Sequence, residues 1–258
     1  MTDTTLTRQL DVSGTPRVPF ARLVGVEMRK MADTRAGLWL LIAIVLITAA
    51  IITIFFFAAP DDERTFFNFM GITATPQGFL LPVLGILLVT SEWGQRTTLT
   101  TFALEPSRSR VIAAKVAAAL IFGAAAIVLA VAVTALATAL GGAPDAWENV
   151  GYDEIGKFSI LQVSGILMGL AFGLILLNSA AAIVAFFVLP IAFNVVASLV
   201  SALNDAAPWL DTGTSQQPLF TGGDVTGEEW AQLATSSAIW IVLPFVLGLV
   251  RVMRSEFK

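Results

Sequence analysis

A chain of 258 residues that is 56% hydrophobic and 13% charged, with a mean hydropathy of +0.81, is an integral membrane protein: soluble domains carry about 25% charged residues, and no stretch is left over for a soluble catalytic domain. It has no cysteine and no histidine, which excludes disulfides, thiol nucleophiles and thiolate metal sites and, with the commonest general base and metal ligand missing, Ser–His hydrolysis, haem ligation and zinc-dependent proteolysis. The net charge of −4 says less than where the charges sit.

Residues 1–18 are polar, contain Gly14 and Pro16, and lack the basic, apolar and cleavage regions of a signal peptide. They read as a disordered cytoplasmic tail ahead of one membrane domain over 19–258. In 19–33, Phe20, Leu23, Val24, Met28 and Met31 make one apolar stripe, with Arg22, Glu27, Arg29 and Lys30 on the rest. That is the pattern of an amphipathic helix lying in the membrane interface. Runs apolar and long enough to cross a bilayer follow at about 36–59, 111–140, 159–177, 180–203 and 231–252. Another, about 72–91, contains Pro76 and Pro82, which are expected to break or kink it. The fold class is therefore all-α with six transmembrane helices. Gly165, Gly169 and Gly173 form a small-residue row in the fourth, suited to close helix packing within one bundle. The segment 204–230 is expected to be an external loop. Within it Thr226 and Glu229 have the spacing of a capping box. Trp147, Tyr152, Trp209 and Trp230 suit an aromatic belt at the outer interface.

The charges fix an orientation. With the N-terminus inside, thirteen of the fifteen cations lie on the cytoplasmic side, leaving Arg64 and Lys157 outside, while 12 of 19 acids lie outside. This is the asymmetry of the positive-inside rule. It places both termini in the cytoplasm.

The mid-span regions carry no ionisable residue, although proton relays in carriers are built from such groups. No G-x-x-x-x-G-K-[ST] phosphate loop occurs either, so any ATP is bound by another chain. Polar detail gathers in the loop 92–110. Glu92 and Arg96 are spaced as an i,i+4 pair. Residues 97–103 can form a short helix with Leu99, Phe102 and Ala103 on one side, ended by Pro106. Ser107 stands where a cap for the next helix belongs.

The pattern Glu92…Arg96-Thr97…Thr101-Phe102-Ala103-Leu104…Pro106-Ser107-Arg108…Ala114-Lys115 resembles the signature loop of the type-two ATP-binding-cassette (ABC) permeases, the membrane subunits of bacterial exporters. Glu27-x-x-Lys30 followed by Arg35 resembles their elbow segment. Leu177-Asn178-Ser179-Ala180-Ala181-Ala182 resembles their tight cytoplasmic turn between spans four and five, and Pro190 fits their fifth span. The resemblance implies a multi-pass protein of the bacterial plasma membrane with an elbow helix and a coupling helix. It would be a non-enzymatic transport subunit without a metal or cofactor of its own. Its partners would be membrane lipid, a second permease subunit and a P-loop ATPase that binds ATP and magnesium, with no nucleic acid. Glu92, Arg96, Thr97, Phe102, Pro106 and Arg108 would couple to the ATPase, and Phe79, Phe193, Asn194 and Ser198 would line the substrate path between two subunits. Glu92→Ala or Phe102→Asp would then uncouple hydrolysis from transport without disturbing insertion. A self-sufficient channel or carrier, and a non-transporting membrane scaffold, are the alternative functions.

Overall fold

The computed structural model describes residues 17–148, 151–221 and 223–254. Most of the tail read at 1–18, and Lys258, lie outside the described residues. Among those described the regular structure is all helical, with no strand, and six helices are long and apolar enough to cross a membrane. This is the character of a multi-pass membrane protein.

Helix α1 (Phe20–Asp33) stops where Thr34 turns extended, and the Thr34 side chain then caps α2 (Arg35–Ala58) by accepting from the Gly37 amide at 3.2 Å. Pro60 follows α2, and a 3₁₀ turn (Asp61–Glu63) leads to α3 (Phe66–Gly94). Pro76 and Pro82 do not interrupt α3, which is longer than the span expected at 72–91. Both prolines are buried, and inside a bundle neighbouring helices stabilise a helix that carries them. The short α4 (Thr98–Leu104) and the long α5 (Arg108–Gly141) follow, and α5 ends on Gly142 in the left-handed region, at φ 69°. That is the usual glycine stop.

Helix α6 (Tyr152–Leu176) begins well before the apolar run at 159, because its first two turns carry Asp153, Glu154 and Lys157. Leu177 turns left-handed at φ 53°, and the Asn178 side chain caps α7 (Ser179–Leu199) through the Ala181 amide at 3.0 Å. The fifth span therefore ends at Leu199, short of the expected 203. The segment 204–230 is not an irregular loop. It folds as α8 (Ser201–Leu210), α9 (Thr212–Gln216), a 3₁₀ turn (Gln217–Leu219) and the start of α10 (Gly227–Ser237). The Thr226–Glu229 capping box is formed in both directions. The last span continues through a π-helical stretch (Ala238–Val242) into α11 (Leu243–Arg254).

Helices α3 and α6 are the buried centre, and α2, α7 and the last span leave most of their apolar surface facing outward. The glycine row of α6 meets α3 inside this one chain. A Cβ on Gly169 would stand 2.1 Å from the Pro82 carbonyl oxygen, and one on Gly85 would stand 2.3 Å from that of Ile166. Gly78, on the exposed side of α3, has nothing within 4 Å of its Cβ position. Gly169→Ala is therefore expected to cost about 1–3 kcal/mol of stability through overpacking, and Gly78→Ala to be neutral or mildly stabilising. Melting of both variants in mild detergent checks this, and equal melting temperatures would contradict the seam.

Candidate functional site

Four charged side chains meet where α1, α3, α4 and α5 converge. Glu27 (α1), Glu92 (the last turn of α3) and Lys115 (two turns into α5) are each at most 5% exposed. Lys30, one turn beyond Glu27, reaches in from a half-buried position. Its ammonium stands 2.7 Å from Glu27 Oε1 and 2.5 Å from Glu92 Oε1. Lys115 Nζ lies on the other side, 2.5 Å from Glu27 Oε2 and 3.2 Å from Glu92 Oε2. Acids and bases alternate around a closed ring with no net charge. Two neutral groups complete it: Lys115 donates to the Leu88 carbonyl at 2.9 Å, and the Thr101 hydroxyl of α4 donates to Glu92 Oε1 at 3.1 Å. Separately buried charges would be very costly, whereas a paired and hydrogen-bonded set is tolerated.

Burial disfavours the charged form of Lys30, but its hydrogen bonds to Glu27 and Glu92 outweigh that and hold its pKa above the ordinary value. A folded-state pKa above the unfolded one, about 10.4, gives stability that is complete below the unfolded value and is lost as pH rises through the folded one. The melting-temperature gap between the native chain and Lys30→Met should be constant from about pH 6 to 9 and close above about pH 10.5. A gap that closes below pH 8 would contradict the assignment.

The ring corrects one expected pair. Arg96 does not meet Glu92. It adopts φ 58° just beyond the end of α3 and is exposed, so it leaves the helical face that carries Glu92. Thr97 occupies the N-cap position of α4 without a side-chain cap bond, and Pro106 lies exposed between α4 and α5. Ser107 likewise precedes α5 without capping it. Instead its amide donates to Glu105 Oε1 at 3.3 Å, and Arg110 pairs with Glu105 Oε2 at 2.9 Å. Arg108 donates to the carbonyls of Val252 and Met253 at 2.7 and 3.0 Å, placing a cation on the C-terminal turn of α11. The Arg108 guanidinium also lies over the Phe102 ring, 5.5 Å from its centroid.

Phe102 therefore turns inward, against the core of the bundle. The apolar side chains that α4 presents outward are Leu99 and Leu104, 54% and 77% exposed, and Ala103. Of the expected apolar face of Leu99, Phe102 and Ala103, Leu99 and Ala103 point outward and Phe102 does not. A cavity of about 670 Å³ runs between α1 and α4, bordered by Leu23, Val26, Thr100 and Leu104, with Glu27, Lys30 and Glu92 in its lining. Arg35, read with Glu27 and Lys30 as part of the elbow, is exposed in the first turn of α2, apart from the ring.

The four candidates for a substrate path are strung along α3 and α7. Phe79 stacks on Phe187 with centroids 5.5 Å apart, and Phe193 meets Trp240 edge-on at 6.0 Å. Ser198 donates to the Val195 carbonyl of its own helix at 2.7 Å. Asn194 is exposed and donates to Asp211 at 3.4 Å. Among the described residues, the amides that lie fully buried in the spans are two that the sequence pattern does not single out, Gln77 and Gln162. Gln77 donates to Thr48 and to the Ala126 carbonyl, at 3.4 and 3.1 Å, and Gln162 is 2% exposed. Lys115 was also missed as a member of the site. The available signal was a lysine four residues inside an apolar run. A scan of the chain against protein-family models gives no match, and no curated protein matches it.

Proposed function

We propose that this chain is the membrane-spanning permease subunit of an ATP-driven exporter of the type-two ABC class, working as a dimer with a second permease subunit and powered by a separate P-loop ATPase. The ring of Glu27, Lys30, Glu92 and Lys115 is the observation that carries this reading. It ties an amphipathic helix and two spans together at one end of the bundle, and the Thr101 hydroxyl fastens α4 to the same ring. In this reading a push on α4 reaches the foot of α3 and the start of α5 through the Thr101–Glu92 bond and the ring.

In this reading the α4 end faces the cytoplasm of a bacterial cell, both chain termini lie on that side, α1 is the elbow and α4 the coupling helix. Leu99, Leu104 and the neighbouring cavity are the dock for the ATPase, which holds ATP and magnesium. The outward apolar faces of α2, α7 and the last span meet lipid or the second subunit, and the substrate path lies between subunits along Phe79, Phe193, Asn194 and Ser198. The chain itself catalyses nothing and holds no cofactor. Purified alone it should hydrolyse no ATP, and solute export from proteoliposomes should require the added ATPase and ATP. Export by the chain alone, with no nucleotide-binding subunit present, would refute the proposal.

A further inference from the structure

Near the middle of the bundle, several spans bring polar groups to one level. Phe158 of α6, Ala74 of α3 and Ala130 of α5 belong to one buried apolar cluster. One helical turn further along, α6 carries Gln162 and α3 carries Gln77, while α5, which runs the other way, carries Ala126. The following turn closes the layer from its other side. There the Cβ position of Gly123 of α5 lies 3.8 Å from the Ile166 side chain, and Gly85 of α3 packs on the Ile166 carbonyl. Gln77 ties the layer together, because its Nε2 donates to the Ala126 carbonyl at 3.1 Å and to the Thr48 hydroxyl of α2 at 3.4 Å.

Two atoms of this layer are left over. Gln77 Oε1 and Gln162 Nε2 are both buried without a hydrogen-bond partner among the described residues, in side chains 0% and 2% exposed. The orientation of the Gln77 amide is forced. A backbone carbonyl only accepts, so the nitrogen must face Ala126, and the oxygen points elsewhere. Buried polar atoms are nearly always partnered in folded proteins, by the chain or by an ordered water, and an unpartnered amide inside a bundle costs stability. An orphan acceptor and an orphan donor at one level are the pair that a single water satisfies, donating to the first and accepting from the second. A water can do both, so it serves Gln77 Oε1 whichever end of the Gln162 amide is turned toward it. At this level α5 contributes only the methyl of Ala126, so no long side chain of that helix reaches the two amides.

We infer that one buried water bridges Gln77 Oε1 and the Gln162 amide, pinning α3 to α6 and, through the bonds Gln77 makes itself, to α2 and α5. The layer is then a second polar tie in the bundle, separate from the charged ring at the feet of α3 and α5.

The sign of one substitution tests this. Gln162 bonds to no side chain or backbone group in the layer. Without a bridge, Gln162→Met would replace an unpaired buried amide by an apolar side chain of similar length, and the chain would melt at the native temperature or above it. With the bridge, the same change strands Gln77 Oε1, and the melting temperature in mild detergent should fall by about 3–8 °C. The Gln77→Met, Gln162→Met double variant should melt no lower than Gln77→Met alone, since the two amides share one partner. A Gln162→Met protein as stable as the native chain, or additive losses in the double variant, would overturn the bridge. The same melting pattern would follow from a direct bond between the amides, and Gln162→Met could fail to fold, so a density map of the native full chain at about 2 Å decides both cases. It should show one ordered water within about 3 Å of Gln77 Oε1 and of the Gln162 amide. Amides in direct contact, or no water between them, would overturn the inference.

Discussion

Lys115→Met is expected to destabilise the folded chain by about 3–5 kcal/mol, the usual cost of removing one partner from a buried ion pair. The reason is local arithmetic of charge. With Lys115 gone, Glu27 and Glu92 face each other across a buried site with Lys30 alone between them, and one negative charge is uncompensated. The Leu88 carbonyl also loses its donor. In mild detergent the melting temperature should fall by about 10 °C. Adding Glu27→Gln to Lys115→Met removes the excess charge and leaves the Lys30–Glu92 pair, so the double variant should recover a large part of the loss. Such non-additivity is the signature of one network. A Lys115→Met protein that melts with the native chain, or a double variant that melts at the additive temperature, would show that the ring does not hold these helices together.

Under the proposed function, combined replacement of Leu99 and Leu104 by Asp is expected to abolish export and to weaken association with the proposed partner ATPase by about 30-fold or more, as loss of central apolar anchors does at protein interfaces. It should leave the melting temperature of the chain unchanged, because both side chains project from α4 and are mostly exposed. Phe102→Asp, which sequence reasoning selects as the uncoupling change, is expected to behave differently. Phe102 packs inward under Arg108, so a carboxylate there disturbs the fold as well as the proposed dock. Glu92→Ala likewise strikes the buried ring before it strikes any partner. Export at the native rate in the Leu99→Asp, Leu104→Asp double variant would remove α4 from the coupling role.

The spans were legible because each must present some twenty apolar residues to a bilayer, a signal that survives any tertiary arrangement. Ends were less so. The prolines of α3 look like breaks in isolation, but the glycine row of α6 admits the Pro82 backbone and Pro76 is buried in the same bundle. Segment 204–230 reads as a loop because its helices are short, ten residues in α8 and five in α9, and are punctuated by Pro208 and Pro218. Of its structure only the Thr226–Glu229 box was visible, since that signal is local. The charged ring shows the same limit. Sequence offers Glu92 one partner within a helical turn, Arg96, whereas the structure supplies Lys30 and Lys115, which are 62 and 23 positions away. Glu27, Lys30 and Glu92 were each singled out, but as parts of two separate features. What joins them is the folding of α1 across the feet of α3 and α5.

The central claim is that a separate ATPase works on α4. Its most direct test is purification of the full chain from its native membrane in mild detergent, with identification of every co-purifying protein, beside the Leu99→Asp, Leu104→Asp double variant. The account predicts a stoichiometric P-loop ATPase with the native chain and its loss from the double variant. A well-folded native chain that reproducibly carries no ATPase would contradict it.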